Sequence, residues 1–220
     1  MTVLTPPRGV AAEHFEIERV DYQTPTTDGR ASGVTAGFPL WRARWTIGER
    51  IAVSTSEEWR AFVRRCRGVQ IPWYAGDRGR PYPLSAPNGF GGLTRAGGGA
   101  FDGSAASWSV NAERDQPALT GLPAGFVLSI GDYVMWRWVT SSEPRRSLHV
   151  LVEASTANGS GAVTLRVEPP LPTLIPGGAV ADLANPVCIM RLDTAETRLG
   201  EKTRNLRTSG TVAGLQDLRA

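Results

Sequence analysis

Leu40-Trp41-Arg42-Ala43-Arg44-Trp45-Thr46-Ile47 decides the fold. Trp41, Ala43, Trp45 and Ile47 alternate with Leu40, Arg42, Arg44 and Thr46, the two-residue period of a half-buried strand. Just downstream, Ser54-Thr55-Ser56-Glu57-Glu58 offers hydroxyls followed three positions on by a glutamate, the reciprocal cap that satisfies free amides at a helix start. The expected helix carries Trp59, Phe62, Val63 and Cys66 at i, i+3, i+4 and i+7, sets Arg60, Arg64 and Arg67 on its other side, and meets Gly68 where a left-handed cap is expected. Val69-Gln70-Ile71-Pro72-Trp73-Tyr74 then reads as an apolar strand that ends in the turn Asp77-Arg78-Gly79-Arg80-Pro81. The unit is strand, helix, strand, turn.

Towards the N-terminus, residues 1–13 read as an extended arm, and His14 to Tyr22 alternates with Phe15, Ile17 and Val20 inward, the last requiring a bulge. Thr24 to Gly37 reads as a polar loop at the tip of a long hairpin, either mobile or in contact with a neighbouring subunit. Downstream, Pro87 to Ser104 is the sharpest shift towards glycine and reads as a linker. Tyr133 to Val139 is too apolar for an exposed edge strand, and with Ser147–Ala154 and Ala162–Glu168 it makes three strands joined by short turns. Ala179–Ala184 is a short strand, and Pro186–Leu192 is placed where the chain returns to its first module. The tail is expected to end in strands near Arg204–Thr208 and Gly214–Leu218.

The 25 glycines and 16 prolines, near a fifth of 220 residues and without a fixed period, suit many short strands joined by tight turns. The expected fold is all-β with one short helix: a β-sandwich or belt-type N-terminal module (1–86 plus 190–220), a Gly-rich linker (87–105) and an inserted small β-barrel-like module (106–189). A net charge of +3, with 24 basic residues interspersed among 21 acidic ones, sets up no dominant field and argues against specific nucleic-acid recognition. Cys66 and Cys188 read as buried free thiols rather than a disulfide framework. No signal peptide and no run of about 18 apolar residues is present, so membrane insertion is not expected.

The Trp-rich strand from Leu40, the helix Glu57-Glu58-Trp59-Arg60-Ala61-Phe62-Val63 ending in Arg67-Gly68, and the aromatic strand leading into Gly79-Arg80-Pro81-Tyr82-Pro83 resemble the N-terminal domain of distal tail proteins of long-tailed, siphophage-type bacteriophages. Leu128-Ser129-Ile130-Gly131-Asp132-Tyr133, Leu148-His149-Val150 and Val167-Glu168-Pro169-Pro170-Leu171 resemble the inserted β-module of tail-tip proteins from phages and related gene transfer particles. The resemblance implies a non-enzymatic structural component of the tail tip or baseplate: a homo-oligomeric ring, hexameric as is common in the family, joining the tail tube protein to the tail-tip hub protein. It implies assembly in the host cytoplasm and residence in the virion tail, with no cofactor. Expected subunit-interface residues are Thr26, Thr27 and Arg30 on the polar arm, Arg60 and Arg64 on the helix, and Trp73, Tyr74, Arg78 and Arg80 around the Arg-Gly-Arg turn.

Other chemistry finds weaker footing. Two histidines and two cysteines without close spacing do not make a closed zinc site, and His14 and His149 read as exposed or half-buried strand residues. No Gly-x-Ser-x-Gly occurs, and the glycines near Gly89 lack the Gly-Lys-Ser/Thr of a phosphate loop. Asp132, Glu143, Glu153 and Glu168 are the acids from which a glycosidase pair would be drawn, and all four are expected in turns or on outward faces. A carbohydrate-binding β-sandwich for host-surface attachment is the alternative from another class, and an acid-pair glycosidase the third.

Overall fold

A computed structural model describes residues 2–25, 31–48, 51–202, 204 and 209–218. Two long strands come first, β1 (Ala12–Pro25) and β2 (Ala31–Ile47), then α1 (Val53–Cys66) and the short β3 (Trp73–Ala75). The middle of the chain supplies β4 (Ser107–Val110), β5 (Pro117–Thr120), β6 (Val127–Leu128), β7 (Tyr133–Thr140) and β8 (Glu143–Leu151). After them come β9 (Ser155–Thr156), β10 (Val163–Thr164), β11 (Val167–Glu168) and β12 (Val180–Asp182). β13 (Cys188–Leu192), β14 (Arg198–Leu199) and β15 (Gly210–Gln216) return to the first sheet, whose order is β1-β2-β15-β13-β3 with β14 on β15. The fold is all-β with one helix.

The expected strand alternates as read: Trp41, Ala43, Trp45 and Ile47 are buried, whereas Arg44 and Thr46 face solvent. Helix α1 lays Trp59, Phe62 and Cys66 on this sheet. Trp45 meets Trp59 at 5.8 Å and Trp73 at 4.9 Å between ring centroids, and Phe62 meets Trp73 edge-on at 5.7 Å. The helix start differs from expectation. It begins at Val53 with Ala52 at the cap position and no capping side chain, so Ser54 and Thr55 already lie in the first turn, and the first ladder bond runs from the Ser56 N–H to the Ala52 carbonyl. The helix ends in left-handed Arg67 (φ 48°) and Gly68 (φ 66°).

The strand that completes this sheet, expected near Gly214–Leu218, runs from Gly210 to Gln216. β15 is central, hydrogen-bonded to β2 on one side and β13 on the other, and three of its seven residues are glycine or alanine. Gly214 shows why: a Cβ there would stand 2.3 Å from the Trp73 ring. The other tail strand lies at Arg198–Leu199 instead of near Arg204, and residues 205–208 lie outside the described residues.

Strands β7 and β8 form a wall between two cores. Met135 and Leu148 project into the tryptophan core, while Val134, Trp136 and Leu151 project into a second core with Phe90, Phe101 and Phe126. The inserted part forms a four-stranded sheet (β11-β8-β7-β12), a three-stranded sheet (β10-β5-β4) and a two-stranded sheet (β6-β9). These described sheets stay open, so the barrel-like closure expected for residues 106–189 is not formed. The physical reason lies after β8: the chain switches partners, with Val163–Thr164 pairing β5 and Val167–Glu168 pairing β8, so no ladder runs continuously around.

Residues 87–105 do not form a free spacer. Phe90 and Phe101 are buried in the second core, and the Arg95 guanidinium donates to the Ser104 and Gly121 carbonyls at 2.7 and 2.6 Å. The glycines here serve tight packing: Gly103, at φ +94°, would drive a Cβ to within 2.3 Å of the Phe90 ring. Cys66 and Cys188 are buried free thiols, as read. No helix among the described residues is long and apolar enough to cross a membrane.

Trp59→Ala is expected to cost roughly 3–5 kcal/mol through lost burial and a cavity. Gly214→Ala is expected to cost about 1–3 kcal/mol by forcing Trp73 from its place. Denaturant melts of the two variants check both values; an unchanged midpoint for either contradicts the packing described.

Candidate functional site

The hairpin of β1 and β2 leaves the body of the protein beyond residue 18. The expected bulge is present, with register shifting between Glu18 and Val20 and Gly37 at φ +78° on the opposite strand. Thr24 to Gly37 is not a loop throughout, because β1 continues to Pro25 and β2 starts at Ala31. Backbone pairing carries it: Val20 opposes Ala36, Tyr22 opposes Val34, and Gln23 opposes Gly33. Cross-strand partners share a face, so Val20, Tyr22, Val34 and Ala36 make one side of the ribbon and Asp21, Thr35 and Gln23 the other. Val20, Tyr22 and Val34 are 52%, 66% and 68% exposed, and the expected inward position of Val20 is not found. The Asp21 carboxylate accepts the Thr35 hydroxyl at 2.6 Å on the polar side. Strand β1 also stands at the end of its sheet with no further strand beside it among the described residues. The other end is covered, since Leu4 exchanges backbone bonds with Pro72 and Tyr74 (2.9 and 2.8 Å).

The expected interface residues fall into different settings. Thr26, Thr27 and Arg30 lie outside the described residues. Arg64 is exposed on the last turn of α1, while Arg60 is half-buried and donates to the Gly200 carbonyl. Trp73 is a correction: it is fully buried at the centre of the tryptophan core, because β3 is pinned between Leu4 and β13, and it has no surface to offer a partner. Tyr74, half-buried, lies under the Arg146 guanidinium at 4.5 Å. Arg78 lies over Trp45 at 4.3 Å, and Arg80 pairs with Asp132 at 2.8 Å.

Two of the buried polar groups are Asp132, expected in a turn, and His149, expected exposed or half-buried. Asp132 is 1% exposed; one carboxylate oxygen accepts Arg80 and the Leu84 N–H (3.0 Å), the other the Ser129 N–H (2.7 Å). A buried charge must be paired this way, and the bonds pin residues 80–84 to the inserted module. The imidazole of His149 is fully buried edge-on to Trp136. Its Nδ1–H donates to the Pro169 carbonyl at 2.6 Å, and Nε2 accepts the Ser147 hydroxyl at 2.8 Å, which satisfies the neutral ring. Burial pushes the His149 pKa down to about 4. Of the remaining candidate acids, Glu153 is exposed as read, and Glu168 pairs with Arg19 at 2.6 Å.

A third feature had no sequence signal. Glu13, in β1, accepts the Trp45 indole N–H at 2.7 Å and the Arg78 backbone N–H at 3.3 Å, and burial raises its pKa. Both of its partners line a cleft, together with Arg8, Tyr74 and Tyr82 among others. No protein-family model and no curated protein matches the chain.

Because His149 binds a proton less readily folded than unfolded, stability is fully present above about pH 6.5, the ordinary histidine value, and is lost as pH falls towards about 4. The loss approaches roughly 3 kcal/mol at most. Denaturant midpoints measured from pH 7 to pH 4 are expected to show this slope, and His149→Gln to flatten it; an equal slope in both proteins contradicts the assignment.

Proposed function

We propose that the chain is a structural ring subunit of the distal-tail type, joining a phage-like tail tube to its tip hub through repeated copies of one interface. The observation that carries this reading is the projecting hairpin. An amphipathic ribbon with three apolar side chains more than half exposed is costly in an isolated subunit and useful only when a neighbour covers it. A long edge strand with no further strand beside it among the described residues points the same way, since repeated pairing between identical copies closes rings. The body suits the role: two cores sharing one wall make a stiff frame, and buried Asp132 and His149 are consumed in internal bonds. A hexamer docked on tube and hub proteins is the expected assembly.

The purified protein is expected to run as a ring of defined stoichiometry in size-exclusion chromatography with light scattering. Tyr22→Glu combined with Val34→Glu is expected to give monomers with an unchanged melting temperature, because neither side chain packs on either core. A monomeric wild-type protein at high concentration, or a double variant that keeps the full oligomer, overturns the proposal.

A further inference from the structure

The cleft beside Glu13 has a volume of about 690 Å³, within the range of ligand-binding clefts, about 300–1,000 Å³. It opens where residues 5–10, the turn after β3 and the approach to β13 meet. Its floor is an arginine on aromatic rings: the Arg78 guanidinium carbon stands 4.3 Å from the Trp45 ring centroid and 5.5 Å from that of Trp59. Among the described residues no protein atom accepts a hydrogen bond from this guanidinium, so the N–H groups at its edge remain available to a ligand. Arg8 brings a second cation to the same cleft, its backbone held there by the Trp59 indole N–H, which donates to the Arg8 carbonyl at 3.2 Å.

The Glu13 charge acts on Arg78, but the nearby acids spend their hydrogen bonds on neutral donors. Both Glu13 oxygens are taken by Trp45 and the Arg78 backbone, and Asp77 accepts the Gly79 N–H at 2.8 Å and the Tyr133 hydroxyl at 3.2 Å. A guanidinium stacked on a ring and presenting its edge is suited to bidentate capture of a planar carboxylate. The rest of the lining fits an apolar body more than a sugar ring. Pro6, Pro81 and Pro186 supply walls without donors, and the Asn185 amide is turned onto the Tyr82 hydroxyl at 3.4 Å.

We propose that this cleft is a binding site for a peptide carboxylate, the free C-terminus or an acidic side chain of an extended polypeptide with an apolar neighbour, gripped by Arg78 and Arg8. The site is complete within one chain, so it stands whether or not the protein forms a ring.

Titration of the full chain, followed by tryptophan fluorescence at low salt, tests it. The probes are N-acetyl-Gly-Pro-Leu as free acid, the same peptide as C-terminal amide, an amidated peptide with an internal Asp, galacturonate and inorganic phosphate. The free acid is expected to bind saturably and at least tenfold more tightly than the amide, with a preference that weakens as salt is added. The Asp peptide matching the free acid assigns the site to acidic side chains as well, and its matching the amide restricts the site to chain ends. Arg78→Gln is expected to abolish the preference for acid over amide. Should that variant lose its melting transition, Arg8→Gln decides, because Arg8 is exposed: it is expected to weaken acid binding severalfold and leave amide binding unchanged. Equal binding of acid and amide, no saturation by the acid, tighter binding of galacturonate or phosphate, or an acid preference that survives substitution of Arg8 and Arg78 overturns the proposal.

Discussion

Each buried indole carries one N–H that must find an acceptor or forfeit about 1–3 kcal/mol of desolvation. Five tryptophans are fully buried here, and where their N–H groups go sets how the segments are tied together. Trp41 donates to the Leu148 carbonyl at 2.6 Å and so bonds the first sheet to the wall it shares with the insert. Trp45 donates to Glu13 and Trp59 to Arg8, which bind β1 and the N-terminal segment to the core. Half-buried Trp108 does the same for the insert, reaching the Ala179 carbonyl at 2.7 Å. Trp73 and Trp136 find no acceptor among the described residues; both are fully buried against two rings each, Trp45 and Phe62 for Trp73, Trp108 and His149 for Trp136, and those contacts offset part of the lost bond.

This division explains what was legible in the sequence. Strand β2 and helix α1 announce themselves because each buries one face, and a face repeats with a period that can be counted. β15 shows itself only in outline, expected at Gly214–Leu218 and found at Gly210–Gln216, because Gly210, Ala213 and Gly214, the last held small by the Trp73 ring, interrupt its apolar pattern. Small residues carry no periodic signal. Pro87 to Ser104 misleads for a related reason: glycines that permit tight turns around Phe90 and Phe101 have the same composition as glycines that permit motion. Burial of Phe90 and Phe101 distinguishes the two, and burial is a property of the fold.

Polar residues were the least legible. Asp132 follows Gly131 in what reads as a solvated turn, yet its partners, Arg80 and Leu84, arrive from about 50 positions away in the chain. His149 sits in an alternating strand whose two faces are both inside, because β8 separates two cores instead of separating a core from water. A wall of this kind removes the usual inference from alternation, which assumes one wet face. The hairpin arm shows the reverse case: its alternation is real, but the apolar face has no core of its own chain beneath it.

Arg78 and Arg80, two residues apart in one turn, show how identical side chains acquire different roles. Arg80 reaches across to a fully buried carboxylate, and that carboxylate's need for a counter-charge consumes it, so removing Arg80 would strand Asp132 without compensation. Arg78 lies on indole faces, an attraction that fixes the position of the guanidinium without engaging its N–H groups. Gly79 between them lets the turn send one arginine to each side, its N–H held by Asp77. The same short segment therefore locks the two parts of the molecule together and leaves one oriented cation facing an open cleft. Such a cation needs no reorganisation to meet an anion, since the rings have already restricted its rotamers, and this pre-organisation is what separates a recognition site from an arginine on an ordinary surface.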